Sequence, residues 1–468
     1  MRAGRARYEV SDRVTATKAG GLAAVHGVVQ RLRLAEGIDA RLKLLKRHLP
    51  YHESDHVLAL AYSYLAGGGC LQDLDLLRED EALMDLLGAR KLPDPTTAGD
   101  FLRRFEPADV NELQDVLNET RARVWQAQPA AFRRRAVIDA DGTVAGTTGE
   151  KKFDMDFNFH KKTWGYHPLL VSLANTREPL YLINRPGNVP SHTGAAEVFD
   201  KAIALVSPVF EEVLLRGDTD FSLTVNFDRW SEQGTKFVFG YDAHPNLVHL
   251  ANGLPSSDWR PLDRSRKKAE EPRGRRPNVK EERVVEKGWK NLVLLGEELA
   301  EFEYQPRKCS RPYRMVVLRK EIEERTGQAV LIKDYRYFFY VTNDPNFTAE
   351  EVVREANQRC DQENLIEQLK NGVPALRLPS HDLVSNWAHM VIGGLAWTLK
   401  VWFGLTLPRV QDRERVLAMK FRTFLNAIVL VPAQVLRNKA RRLVVRLLAY
   451  TSQIRLLFRS AETSRGFL

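Results

Sequence analysis

The sequence predicts a mixed α/β protein in which an all-helical N-terminal region precedes a sheet core that a β-rich stretch interrupts and later helices complete. Three observations predict it. Apolar residues recur at three- and four-residue spacing from about Gly20 to Gln126, β-branched runs alternate with helical spacing from Ala136 to Tyr241, and helical spacing returns from Thr348 onward. A length of 468 residues suits several domains of about 150 residues each.

Residues 1–130 read as helical, most clearly in Leu22 to Leu32, His56 to Leu65 and Val110 to Val124. Pro95 before Thr96 and Thr97 marks a helix start, with a hydroxyl expected to cap the first free amides. Residues 131–241 begin the core: Ala136-Val-Ile138 runs into Asp139-Ala-Asp141-Gly-Thr143, and Pro168 to Ala174 and Pro179 to Asn184 continue it as a meander. A helix at Ala195 to Val206 and strands at Glu212 to Leu215 and Thr235 to Tyr241 give the order β-β-β-α-β-α-β, a mixed sheet covered by helices.

Residues 242–345 form the β-rich insertion, with strands near Tyr313 to Leu318 and Tyr335 to Thr342. It carries a basic loop of Arg264, Arg266, Lys267, Lys268, Arg273, Arg275, Arg276 and Lys280, flanked by Trp259 and Trp289. Residues 346–405 complete the core with helices at Thr348 to Asn371 and Leu383 to Phe403. Residues 406–468 hold a helix at Glu414 to Ala427 and a basic hairpin around Arg437-Asn-Lys439.

With 70 Lys and Arg against 60 Asp and Glu, the net charge of +10 favours a polyanionic partner, nucleic acid first. Cys70, Cys309 and Cys360 are too dispersed for a zinc knuckle or a disulfide framework, which suits a reducing cytoplasm. Met1 to Lys18 is basic but lacks the apolar run of a secretory signal. The most apolar stretch, Val391 to Leu407, contains Lys400 and reads as a buried core helix rather than a membrane span. No membrane partner is expected.

Three acidic positions could converge on one catalytic centre: Asp141 after the first strand, with Asp139 two residues earlier as the alternative first acid, Asp218 after the fourth, and Glu363 in a late helix. Alternation puts Asp139 and Asp141 on one face of the strand, so the residues alone leave both open. Carboxylate oxygens are the ligands that hard Mg²⁺ prefers, and a pair of such ions can activate an attacking oxygen and stabilise a leaving one. Arg359 and Lys370 share the helical face of Glu363, as cations beside a phosphate backbone would; an ordinary salt-bridge ladder produces the same spacing.

Two formal motifs carry less. His52-Glu-Ser-Asp-His56 matches H-E-x-x-H, but Ser54 or Asp55 is a good N-cap, so the histidines should straddle a helix start and a zinc hydrolase is not favoured. Gly67-Gly-Gly69 lacks the strand before it and the G-K-[ST] after it that a phosphate cradle requires.

Asp141-Gly-Thr143, Arg216-Gly-Asp218-Thr-Asp-Phe221 and Arg359-x₃-Glu363-x₆-Lys370 resemble the three acid motifs of DDE transposases from bacterial insertion sequences. The resemblance extends through Gly165-Tyr-His-Pro168, Arg185-Pro-Gly-Asn188, Val341-Thr-Asn343 and Asn357-Gln-Arg359, over about residues 20 to 460. One departure is Ala356, where the family commonly has tyrosine. The resemblance implies an RNase H-like core with a β-rich insertion between the second Asp and the Glu. It further implies two Mg²⁺ ions, with Mn²⁺ as substitute, held by Asp141, Asp218 and Glu363. The implied reaction is cut-and-paste transposition: hydrolysis at the element ends, then attack of the freed 3′-hydroxyl on target DNA. The implied partners are terminal inverted repeats, target DNA and a second copy of the chain on DNA, in a bacterial cytoplasm at the nucleoid. The helical N-terminal region would help recognise element ends, and Trp259 or Trp289 could stack on an extruded base. The competing expectation is a catalytically silent, transposase-derived sequence-specific DNA-binding protein.

Overall fold

The computed structural model describes residues 15–149, 151–262, 290–326, 329–437, 443–449 and 453–463. The described N-terminal residues are helical from Leu22 to Gln126, but Ala16–Thr17, expected as helix, is a short strand antiparallel to Ala433–Gln434. Helix α1 (Glu53–Leu65) starts at His52, which takes the N-cap in extended backbone while Asp55 accepts its N–H at 2.8 Å, so the cap is neither Ser54 nor Asp55. The helix at Pro95–Leu102 is capped by Asp94, whose carboxylate takes the Thr97 N–H at 2.8 Å. A charged acceptor just ahead of the proline thus replaces the expected hydroxyl, and its charge also suits the helix dipole. Helix α2 (Pro107–Gln126) buries Val110, Leu113, Leu117 and Val124 on one side.

The meander forms as the sequence indicates. Strand β1 (Arg135–Gly142) pairs antiparallel with β2 (Leu169–Leu173), which pairs antiparallel with β3 (Glu178–Ile183). Helix α3 (Ala195–Val206) then leads to β4 (Glu212–Gly217), parallel to β1, and β5 (Lys236–Tyr241), parallel to β4. Between β1 and β2 lies a small three-stranded sheet, Ala145–Gly146, Asp156–Asn158 and Thr163–Tyr166, that the sequence pattern did not signal. Strands of two to four residues are too short to show alternation.

The β-rich stretch consists of long antiparallel strands, β6 (Lys290–Tyr304), β7 (Tyr313–Thr326) and β8 (Ala329–Thr342). β8 pairs antiparallel with β5 from Phe339 to Thr342, so this stretch continues the core sheet edge to edge. The sheet order is Arg260–Pro261, β6, β7, β8, β5, β4, β1, β2, β3.

The single late helix expected at Thr348 to Asn371 is instead two helices, α4 (Ala349–Gln358) and α5 (Cys360–Glu367), meeting at Arg359, with a π-helical turn over Gln368–Gly372. The expected helix at Glu414 to Ala427 also breaks, into Val410–Ala418, Phe421–Phe424 and a second π-helical turn at Leu425–Val429. The C-terminal hairpin forms from Ala433–Arg437 and Leu443–Leu447.

Helix α6 (Leu383–Leu405) is long and apolar enough to cross a membrane, yet it is buried inside the protein from Ser385 onward, packed on α1, α2 and β3. Its Trp402 joins a fully buried polar node at Glu178 of β3. That carboxylate accepts from Arg121 Nε (3.1 Å), Trp125 Nε1 (2.9 Å), Trp402 Nε1 (2.9 Å) and Thr176 Oγ1 (2.6 Å). One acid, with its donors satisfied, fastens α2, the sheet and α6 together.

Candidate functional site

Asp141 sits at the carboxyl end of β1, and Asp218 follows the last residue of the neighbouring parallel strand β4. The motif residues between them explain this placement. Asp139 pairs in register with Arg216 across the two strands, and the guanidinium takes both carboxylate oxygens, Nε to Oδ1 at 2.8 Å and Nη2 to Oδ2 at 2.9 Å. Both residues are buried, so Asp139 is committed to an internal ion pair and Asp141 is the strand acid that faces the site. At Gly217 a Cβ would lie 2.6 Å from the Phe221 Cβ; glycine therefore lets the chain turn tightly over buried Phe221 and present Asp218. Asp218 Oδ1 accepts the Asp220 N–H at 3.0 Å, which orients the carboxyl group.

The third acid arrives on α5. Gln362, buried beside it, donates from Nε2 to the Asp139 carbonyl (3.2 Å) and the Leu170 carbonyl (3.0 Å), fastening the helix to β1 and β2. Glu363 is then exposed toward the strand ends. The three acids meet around Arg359. Its Nη1 lies 3.1 Å from Asp141 Oδ2 and 4.0 Å from Asp218 Oδ2, and its Nη2 lies 3.3 Å from Glu363 Oε1. Burial pushes the Asp141 carboxyl up to about 6, with Arg359 opposing and the neighbouring Asp218 and Glu363 charges adding to the shift. Burial raises Asp218 too, again against Arg359. Lys370, half-buried in the π-helical turn, is lowered by burial and by Lys161 while Asp141 pulls it back.

This donor set fits hard divalent cations: three carboxylates from three elements already gathered about one positive charge, with no sulfur or imidazole among them. Among the described residues, the acids and histidines whose ligand atoms all lie within 4.8 Å of one another are Asp39, His52 and Glu53, while the three carboxylates around Arg359 stand farther apart. The two acids beside His52 have structural duties: Asp39 accepts from Ser54 N and Oγ, and Glu53 Oε1 from the Leu44 and Leu45 N–H groups. His56 of the H-E-x-x-H match points elsewhere, stacked on Phe101 at 4.3 Å.

Two of the remaining motifs, Gly165–Pro168 and Arg185–Asn188, form a wall beside Asp141, whereas Asn343 of the Val341–Asn343 motif accepts the Phe237 N–H at 2.9 Å at the start of β5. A Cβ at Gly142 would stand 2.8 Å from His167 Nε2, and His167 Nδ1 bonds the Val189 carbonyl at 2.6 Å. Arg185 donates to the carbonyls of His167, Pro190, Ser191 and Thr193, cross-bracing the two motif loops. A Cβ at Gly187 would meet the Asp156 carbonyl oxygen at 2.3 Å, so glycine there admits the small sheet against the core.

Trp259 is buried, with the Arg319 guanidinium 3.9 Å from its ring centroid and the Tyr337 ring 6.4 Å away, which places it in the packing of the β-rich strands rather than at the acids. Trp289 and the basic residues Arg264, Arg266, Lys267, Lys268, Arg273, Arg275, Arg276 and Lys280 lie outside the described residues. Sequence reasoning missed the anchoring role of Gln362 and the carbonyl cage of Arg185. The position of Gln362 next to the helical acid was the available signal.

Comparison with known proteins agrees with the motif resemblance. A family model described as Transposase DDE domain group 1 matches residues 12–463. Among solved structures, a cryo-EM structure of a piggyBac transposase synaptic complex with hairpin DNA matches at 11% identity and a TM-score of 0.37, over 96% of this chain and 85% of that chain. A comparison with curated proteins finds no match. With the family model spanning nearly the whole sequence, the chain belongs to the DDE-domain transposases of group 1.

Proposed function

We propose that the chain cuts a phosphodiester at the ends of a mobile DNA element with divalent metal, and joins the freed 3′-hydroxyl to target DNA. The carrying observation is the gathering of Asp141, Asp218 and Glu363, from two strand ends and a helix, within 4.0 Å of the Arg359 guanidinium. The strand order β3, β2, β1, β4, β5 with the acids at one end supports an RNase H-like reading of the core.

Asp141, Asp218 and Glu363 would hold two Mg²⁺ ions, which when bound supply activation of the attacking oxygen and stabilisation of the leaving one. The chain's own contribution is placement. Gln362 and Arg216 fix the backbone that carries the acids, and Arg359 and Lys370 offer positive charge to the phosphate at the cluster. A carboxyl held up to about 6 is still ionised near neutral pH and so remains a ligand there. DNA contacts by the run Arg264 to Lys280 and by Trp289, end recognition by the helical N-terminal region, pairing of two chains on two ends, and a nucleoid location in a bacterial cytoplasm belong to the same proposal.

The test is nicking of DNA carrying the sequences that flank the coding region. Cleavage should require Mg²⁺ or Mn²⁺ and disappear in Asp218→Ala and Glu363→Ala. Equal cutting by these variants would reject the assignment, and end-specific binding without cutting by the unaltered chain would select the catalytically silent reading.

A further inference from the structure

The small sheet between β1 and β2 ends in a hairpin tip, Phe157-Asn-Phe159-His-Lys161-Lys162-Thr-Trp164, whose composition nothing in the acid site explains. Phe159 is 77% exposed, Trp164 50% and nearby Phe153 69%, while most other large apolar side chains among the described residues are buried. The rings form a connected set. Phe157 faces Trp164 across the strands with centroids 5.7 Å apart, and Phe159 stands edge-on to Phe157 at 5.3 Å. Burying rings is worth far more than exposing them, so a cluster held open in this way calls for an occupant.

The tip is held in a defined shape. Asn158 accepts the Lys161 N–H at 2.9 Å, closing the turn, and donates to the Gly187 carbonyl at 2.8 Å, tying the tip to the wall beside Asp141. Lys162 takes a left-handed conformation, φ 49°, to finish the turn. Among the described residues, the exposed His160, Lys161 and Lys162 have no carboxylate partner; the acids of the hairpin, Asp154 and Asp156, lie before the tip, and Asp156 accepts the Phe157 N–H at 2.8 Å. The Asn158–Gly187 bond sets the tip against the wall beside Asp141, and Lys161 adds to the lowering of Lys370 while Asp141 opposes it.

Rings that stack on bases, interleaved with cations that follow a backbone, are the general means of holding nucleotides outside a duplex. We propose that Phe159 and Trp164, supported by Phe157 and flanked by Lys161 and Lys162, form a stacking platform for unpaired bases at the DNA end beside the acid cluster. The occupant is DNA with bases out of the helix, rather than a protein, because the tip is cationic and is tied to the wall beside the acid cluster. The inference rests on the proposal that DNA is the substrate.

The experiment compares the full chain and its variants on two probes, a blunt duplex and the same duplex with a short unpaired overhang, in both binding and metal-dependent nicking. The unaltered chain should prefer the overhang by about tenfold or more, and Phe159→Ala with Trp164→Ala should remove the preference while blunt-duplex affinity holds. Lys161→Gln with Lys162→Gln should lower the salt dependence of overhang binding by about one to two in log–log slope. Phe159 and Trp164 are exposed, so these changes leave the core intact, and retained thermal stability confirms it. Nicking by the unaltered chain with no overhang preference overturns the platform and leaves the transposase reading standing. Overhang preference without nicking overturns the catalytic reading alone. Loss of a DNA-independent dimer in the aromatic variant, seen by light scattering, would assign the tip to chain pairing and also overturn the proposal.

Discussion

Gln362 Nε2 reaches the Asp139 carbonyl oxygen at 3.2 Å, so the helix that carries Glu363 is fastened to the strand that carries Asp141. A buried amide is thus the joint between two parts of the acid set. Gln362→Ala should lower metal-dependent nicking by about 10–100-fold, the range seen when a group that orients metal ligands is lost. The required metal concentration should rise with it. Because Gln362→Ala also removes two buried hydrogen bonds, stability should fall by about 1–3 kcal/mol. An unchanged metal dependence would show that Glu363 is held by other contacts.

Asp139 and Asp141 lie two residues apart and should fail in opposite ways. Asp139→Ala removes the bidentate partner of the buried Arg216 guanidinium, leaving it Glu355 at 3.0 Å, and should cost about 3–5 kcal/mol in urea unfolding. Asp141→Asn keeps the shape of a half-buried group and should leave stability within about 1 kcal/mol while abolishing nicking. A stable, inactive Asp139→Ala protein would reverse the assignment.

Arg359 neutralises three acids at once. Arg359→Ala should lower the melting temperature in chelator and make the protein more responsive to Mg²⁺, because the carboxylates then lose the guanidinium that joins all three; the expected metal-free loss is about 1–3 kcal/mol. Calorimetry with and without Mg²⁺ checks this. Equal melting shifts in variant and parent would separate Arg359 from the cation site.

Lys400 predicts a pH effect remote from the acids. Burial in α6 lowers its amine to about 7, with Arg177 adding repulsion; Nζ donates to the Leu417 carbonyl at 3.0 Å and lies 4.0 Å from the Trp397 ring centroid. Between about pH 7 and the ordinary lysine value near 10.4, the unfolded chain holds a proton that the folded chain has released, so this group makes stability rise with pH. Below about pH 7 the full penalty is present. Lys400→Met should therefore stabilise the protein by a few kcal/mol near neutral pH, and by progressively less toward about pH 10. Denaturant titrations at two pH values check the slope, and a gain independent of pH would contradict it.

The sequence by itself determined the element order of the core and the buried character of Leu383–Leu405, because period-two and helical patterning are local properties, and it singled out Asp141, Asp218 and Glu363 as the proposed acids. It could not choose between Asp139 and Asp141, since alternation places both on one face. Only the tertiary structure separates the two, by setting Arg216 of the parallel neighbour in register with Asp139 and pairing them, while Asp141 meets Arg359. It also decided the break at Arg359, the edge-to-edge joining of β8 to β5, and the placing of an aromatic, lysine-rich tip beside Asp141. Each of these depends on contacts between residues far apart in the chain, and such contacts leave no period for a local reading to find.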